Sequence, residues 1–148
     1  METLIPTTSR IVEHLATAVL LFDKDLQLVS INSAGESLLS VSRKRVSGLR
    51  VNKIWRNSAF LYDAIQRSLL SGTTCIERGV DLNLNNGQQI KVDCMITPVL
   101  LNNFADEILV ELIDTHSFVR VLQEVNQETI QAAAKESVQG MAHEIKNP

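Results

Sequence analysis

Asn86-Gly87-Gln88-Gln89-Ile90-Lys91-Val92-Asp93-Cys94-Met95-Ile96 settles the architecture of this chain. Ile90, Val92, Cys94 and Ile96 alternate with Lys91 and Asp93. That period of two puts one side of a strand in a core and the other in water. Asn86-Gly87 ahead of it is the strongest short hairpin signal in the chain, since both residues accept positive φ. A strand must therefore precede the turn. Ile76, Val80, Leu82 and Leu84 are expected to share one of its faces, with Arg78 the exception. Pro98 limits how far regular pairing of the second strand extends. After a turn at Asn102-Asn103, residues 108–113 form a third strand, apolar on both faces except at Glu111.

Upstream of this meander, Val19-Leu20-Leu21-Phe22 reads as a buried strand. Asp23-Lys24-Asp25 turns the chain into a second strand over residues 26–32, and the short turn makes the pair a hairpin. A short helix over residues 9–16 precedes it, capped by Thr7, Thr8 or Ser9. Asn32-Ser33-Ala34-Gly35 opens a helical stretch over 36–41, and the basic segment Ser42-Arg43-Lys44-Arg45 follows. Gly48 and Val51-Asn52-Lys53-Ile54-Trp55 suggest short helices or loops. Residues 60–70 form a clearer helix, with Leu61, Ala64, Ile65, Ser68 and Leu69 on one face and Gly72 as C-cap. Core packing accounts for Trp55 and Tyr62.

The chain has 148 residues, 45% hydrophobic and 21% charged, which fits one globular domain with an appendage. Its net charge of −3 gives no general attraction to nucleic acid or anionic lipid. No apolar run approaches the ~20 residues that span a bilayer. Met1-Glu2-Thr3-Leu4-Ile5-Pro6 lacks a basic signal-peptide start, so a cytoplasmic location is expected. Cys75 and Cys94 are too few for a disulfide framework or zinc site and read as core thiols. His14 and His116 are isolated and read as structural.

The order helix, hairpin, short helices, three-strand meander resembles the PAS fold, an α+β architecture. That fold carries a five-stranded antiparallel sheet with helices on one side. The turn at Asp23 and Asp25, the Asn32-Ser33-Ala34 exit and the closing pair Asp114-Thr115 carry the resemblance. It assigns residues 1–115 to a sensory domain with a short N-terminal helix. It assigns residues 116–148 to a connector and the start of a dimerisation helix. In relatives that bind haem, a histidine comes from the helix before the meander, and residues 60–70 hold none. In flavin-binding relatives a reactive cysteine sits on a helix, whereas Cys75 and Cys94 fall on or beside strands. The expectation is a PAS domain without a tightly held cofactor.

From residue 116 onward the chain has one glycine, Gly140, and no proline before Pro148. It reads as one helix, ~50 Å long at a rise of ~1.5 Å per residue. Such a projecting amphipathic helix needs a partner, and the simplest is a second copy, giving a homodimer. Ala134, Val138, Met141 and Ile145 form one stripe, with His143 roughly 170° away on the helical wheel and Asn147 beside it. Phe118, Leu122, Val125, Thr129 and Ala132 form a second stripe, out of phase with the first. The shift between them reads either as a transmission joint or as loose packing of an alanine-rich connector.

His143-Glu144-Ile145-Lys146-Asn147-Pro148 resembles the phosphoacceptor box of sensor histidine kinases. A neutral imidazole is a competent nucleophile near neutral pH, and a neighbouring carboxylate can hold its second ring proton. The resemblance makes His143 the phosphoacceptor, Glu144 its acid/base partner and Asn147 the residue that positions water for phosphatase action. It narrows to the NtrB-type nitrogen-regulation kinases. These are transferases of two-component signal transduction that phosphorylate an NtrC-like response regulator and are switched by a PII-type signal protein. In that family ATP and Mg bind a later domain. The chain stops inside the first dimerisation helix and is expected to be inactive alone. The alternative is a non-enzymatic PAS dimerisation or ligand-binding module. A metal site at His143 and Glu144 is disfavoured, because adjacent helix positions diverge by about 100°.

Overall fold

The computed structural model describes residues 6–56, 59–101, 104–115 and 124–135, with the side chains of 101, 104 and 105 outside that description. The chain divides into two compact units, Met1–Thr115 and His116–Pro148.

The first unit runs α1 (Thr7–His14), β1 (Ala18–Asp23), β2 (Leu28–Ile31), α2 (Ser33–Leu39), α3 (Arg43–Val46), α4 (Val51–Ile54), β3 (Trp55–Arg56), α5 (Ala59–Ser71), β4 (Cys75–Leu84), β5 (Gln89–Leu101) and β6 (Phe104–Asp114). All strand pairs are antiparallel, in the order β2-β1-β6-β5-β4-β3. This is the expected five-stranded α+β sheet with one addition. The two-residue strand β3 extends the edge beyond β4, pairing Trp55 with Leu84. Asn85 fixes that edge by donating to the carbonyls of Lys53 and Ile54 at 3.1 and 3.0 Å.

One face of the sheet carries the core. Ala18, Leu20 and Phe22 of β1, Val92, Cys94 and Ile96 of β5, and Ile108, Val110 and Leu112 of β6 are buried there. Leu39, Val46, Val51, Ile54, Leu61, Ala64 and Ile65 close over them from α2 to α5. Each large apolar side chain buried in this way contributes about 1.5–3 kcal/mol. Trp55 meets Phe22 edge-on, with ring centroids 6.5 Å apart.

Several boundaries differ from the sequence reading. The first helix starts at Thr7 because Pro6 takes the N-cap position, with no side-chain cap. The Thr7 hydroxyl instead accepts from the Arg10 guanidinium. β2 begins only at Leu28, since Leu26 is held in the turn at φ 60. There the Asp23 Oδ1 accepts from the amides of Asp25 and Gln27 at 2.9 and 3.0 Å. α2 begins at Ser33 and ends at Leu39, because Ser40 turns left-handed at φ 54.

Ile76 does not share a face with Val80, Leu82 and Leu84. A bulge between Glu77 and Val80, with Gly79 at φ +63, shifts the register and leaves Ile76 55% exposed. Inserting one residue reverses the side on which every earlier residue lies. Tyr62 is 45% exposed and is not a core residue. Asn86-Gly87 belongs to a three-residue loop closed by Gly87 N–H to Leu84 O, 3.0 Å, and Leu84 N–H to Gln88 O, 2.7 Å. Gly87 alone takes positive φ there, the geometry of a bulged hairpin. Pairing of β5 with β4 ends at Ile96, two residues before Pro98, while pairing with β6 continues to Leu101.

In the second unit residues 124–135 are helical. Every side chain along them is exposed, including Val125 and Ile130. Among the described residues no helix is long and apolar enough to cross a membrane.

Candidate functional site

His143, Glu144 and Asn147 lie outside the described residues. The same holds for Phe118, Leu122, Val138, Met141 and Ile145 of the two stripes. Val125, Thr129, Ala132 and Ala134 are described, and all four are on the exposed helix of residues 124–135. The Thr129 hydroxyl donates to the Val125 carbonyl one turn back, at 3.0 Å. Its polar atom is thereby satisfied within the helix.

The best-organised polar centre of the first unit is Asn32, 1% exposed, at the end of β2. Its Oδ1 accepts from the amides of Val19 and Gly35, each at 2.9 Å. Its Nδ2 donates to the carbonyls of Val12 and Thr17, each at 2.9 Å. A buried amide normally leaves some of its four bonding positions unused, and here each oxygen and nitrogen makes two bonds. One side chain thus caps α2 and ties it to β1 and to the end of α1.

Beside it on the surface, Arg43 reaches Glu13 at 2.7 Å and Glu36 at 3.4 Å. The Ser33 hydroxyl donates to the other oxygen of Glu13. The Ser33 contact and the Arg43 guanidinium hold the Glu13 carboxyl below its ordinary value. This cluster borders a groove of about 400 Å³ between α1 and the outer side of the sheet, walled by Val12, Val19, Leu21, Val29 and Leu109. Sequence reading marked Asn32 as the exit residue but missed its four bonds, and it missed Glu13 altogether. No local spacing signals a carboxylate whose partner is 30 residues away.

The interior between sheet and helices is filled by Trp55, Phe22, Leu20, Ile31, Leu61 and Ile65, all fully buried. One polar atom there, Trp55 Nε1, has no hydrogen-bond partner. Ser68, also buried, donates to the Thr73 carbonyl at 2.6 Å. Cys94 is buried and Cys75 half-buried, both as free thiols. Burial raises both thiol pKa values, that of Cys94 to about 12. Among the described residues no group of three His, Cys, Asp or Glu side chains could hold a metal ion. His14 sits on the surface with Nδ1 against the Arg10 carbonyl.

The unit ends at β6, which lies between β1 and β5. Asp114 pairs with Val92 in the last rung, and the Thr115 hydroxyl donates to the Lys91 carbonyl at 3.3 Å.

Residues 8–115 match the family described as the PAS fold. The chain is 30% identical over 148 residues to the "Sensory histidine kinase/phosphatase NtrB" of Vibrio alginolyticus, covering all of this chain and 41% of that protein. It is 29% identical over 144 residues to the protein of the same description from Klebsiella oxytoca, covering 97% of this chain and 40% of that one. The chain thus spans about two fifths of the length of the curated relatives it matches. Among solved structures, the PAS domain of nitrogen regulation protein NR(II) from Vibrio parahaemolyticus superposes with a TM-score of 0.61 at 23% identity, over 74% of this chain and 99% of that one. A PAS domain from Colwellia psychrerythraea gives 0.65 at 14% identity, over 72% and 92%.

Proposed function

The chain belongs to the PAS fold family, and from that premise we propose that it is the sensory and dimerisation part of a cytoplasmic two-component histidine kinase of the nitrogen-regulation type. The observation that carries this reading is the reach of the similarity. It runs through all 148 residues, past the PAS match that ends at 115 and across the terminal box. A PAS module joined to an unrelated tail would share only the first part.

In this reading the imidazole of His143 would attack the terminal phosphoryl group of ATP in line, forming an N–P bond as the bond to the bridging oxygen breaks and ADP leaves. Glu144 holds the proton on the other ring nitrogen, so the attacking nitrogen keeps its lone pair. Asn147, one helical turn on, orients water for removing the phosphoryl group from an NtrC-like response regulator. ATP and Mg are held by a domain beyond this chain, which alone does not phosphorylate itself. A PII-type protein sets the balance between kinase and phosphatase. Two copies pair along the helix, and the PAS part relays the signal without a tightly held cofactor.

The test is His143→Gln in the longer protein. Labelling from ATP and signalling through the response regulator are expected to vanish while the dimer persists. Signalling that survives the substitution overturns the kinase reading and leaves a PAS scaffold.

A further inference from the structure

Between residues 43 and 56 the chain carries Arg43, Lys44, Arg45, Arg50, Lys53 and Arg56, and no acidic residue lies between Glu36 and Asp63. A chain with net charge −3 thus gathers six of its 14 cations in one short segment. The fold turns them all outward. Val46, Val51, Ile54 and Trp55 of the same segment enter the core, and the six cations are exposed. Among the described residues, Arg43 alone of the six has ion-pair partners, Glu13 and Glu36. Packing requires only polar residues at the other five positions. Cations there repel one another, so their charge is unexplained by the fold.

The surface around them has the make-up of a protein-binding site. Arg50 opens into a groove of about 590 Å³ shared with Lys24, Asn52, Tyr62 and Gln66. Tyr62 lines that groove, and Leu49 and Phe60, next in sequence to its residues Arg50 and Ala59, are exposed apolar side chains. Arginine and aromatic side chains are the types that dominate binding energy at protein interfaces.

We propose that this basic surface, presented by α3, α4 and β3, docks an acidic patch of Asp and Glu side chains on a partner protein. The proposal does not rest on the kinase reading. Carboxylates bound the patch: Glu13 and Glu36 at Arg43, Asp25 in the groove beside Arg50. A compact acidic patch fits between them. A nucleic acid, with a phosphate every ~1.7 Å of duplex axis, runs on past the patch into those carboxylates. A second copy is also a poor occupant. This chain's own acidic stretch, Asp93 to Asp114, lies on β5 and β6, where Glu107 and Glu111 alternate with the buried Ile108, Val110 and Leu112. The helices cover the buried side, so basic-to-acidic docking of copies joins opposite sides and propagates head to tail without closing.

The experiment titrates the isotope-labelled chain with a helical peptide bearing Glu along one side, a short DNA duplex, or phosphatidylserine vesicles. Amide shifts are expected to concentrate at residues 43–56 with the acidic peptide. Arg45→Glu/Lys53→Glu is expected to weaken that binding roughly tenfold or more, as charge reversal at an electrostatic interface does. Arg45→Gln/Lys53→Gln, at the same exposed positions, repeats the test without reversed charge. Tighter binding to duplex or vesicles than to the peptide overturns the proposal. So do unchanged peptide affinity in both double variants, shifts spread over the chain, and no peptide binding at all.

Discussion

Asn32 Nδ2 donates to the carbonyl oxygen of Val12 at 2.9 Å, across 20 residues of sequence. The bond closes the last turn of α1 over the exit of the first hairpin. Because the same nitrogen also holds Thr17 O, the amide clamps both ends of the α1–β1 connection.

Replacing Asn32 separates its two halves. Asn32→Asp keeps the acceptor for Val19 and Gly35 but turns a carboxylate toward the carbonyls of Val12 and Thr17. Asn32→Ala orphans all four partners. Each substitution is expected to cost about 2–4 kcal/mol of folding stability. Urea titrations followed by the fluorescence of Trp55, the single tryptophan, would measure it.

Two glycines should respond to alanine for opposite reasons. A Cβ at Gly35 would stand 2.7 Å from Ile31 Cγ1, inside the packed core. That overpacking is expected to cost about 1–3 kcal/mol. A Cβ at Gly79 meets open space, so only its φ of +63 resists, at about 1–2 kcal/mol. Ile31→Ala removes the Cγ1 that the new Cβ would meet, so the added cost of Gly35→Ala is expected to shrink in that background while the cost of Gly79→Ala stays unchanged in the same denaturation assay.

The Glu13 cluster should make α1 acid-sensitive. Glu13 has a folded-state pKa below its ordinary 4.5, through the Ser33 hydrogen bond and then Arg43. The folded state therefore binds this proton less readily than the unfolded chain. The stabilisation is present above the ordinary value and is lost as pH falls through the folded one. Glu13→Gln is expected to flatten stability against pH below about 4.5. Denaturation midpoints taken between neutral and acidic pH give the slope, and equal slopes in both proteins contradict the prediction.

The thiols give the alkaline counterpart. Burial, with smaller contributions from Cys75 and Glu77, lifts Cys94 from 9.0 to about 12. The unfolded chain then loses this proton first, so stability is full below pH 9 and declines as pH rises toward the folded value. Cys75, half-buried, is expected to react with a thiol reagent well before Cys94. Simultaneous labelling of both would show that β4 and β5 open together.

Alternation and turn chemistry made most of the sheet legible from sequence. Val92, Cys94 and Ile96 needed only a period of two. Ile76 defeated the same rule because Gly79 could be read as an ordinary strand glycine, and only backbone geometry reveals its bulge. β3 was invisible because two residues have no period. Trp55 enters the sheet through its ladder with Leu84 and not through its neighbours. The polar cluster was equally hidden, since Glu13, Ser33 and Arg43 meet only after the hairpin folds back. By contrast, the reading of the terminal box needs only six consecutive residues, His143 to Pro148, and so is available from sequence.

The placement of β6 has a mechanical consequence. A strand at the rim of a sheet peels away one bond at a time when its end is pulled. β6 has ladders on both sides, with β1 as far as Leu112 and with β5 as far as Asp114. A tug or torque at Thr115 therefore meets the β5 row first and the β1 row two residues further in. The domain behaves toward its tail as a stiff anchorage, in which displacement at the exit is shared by both halves of the sheet.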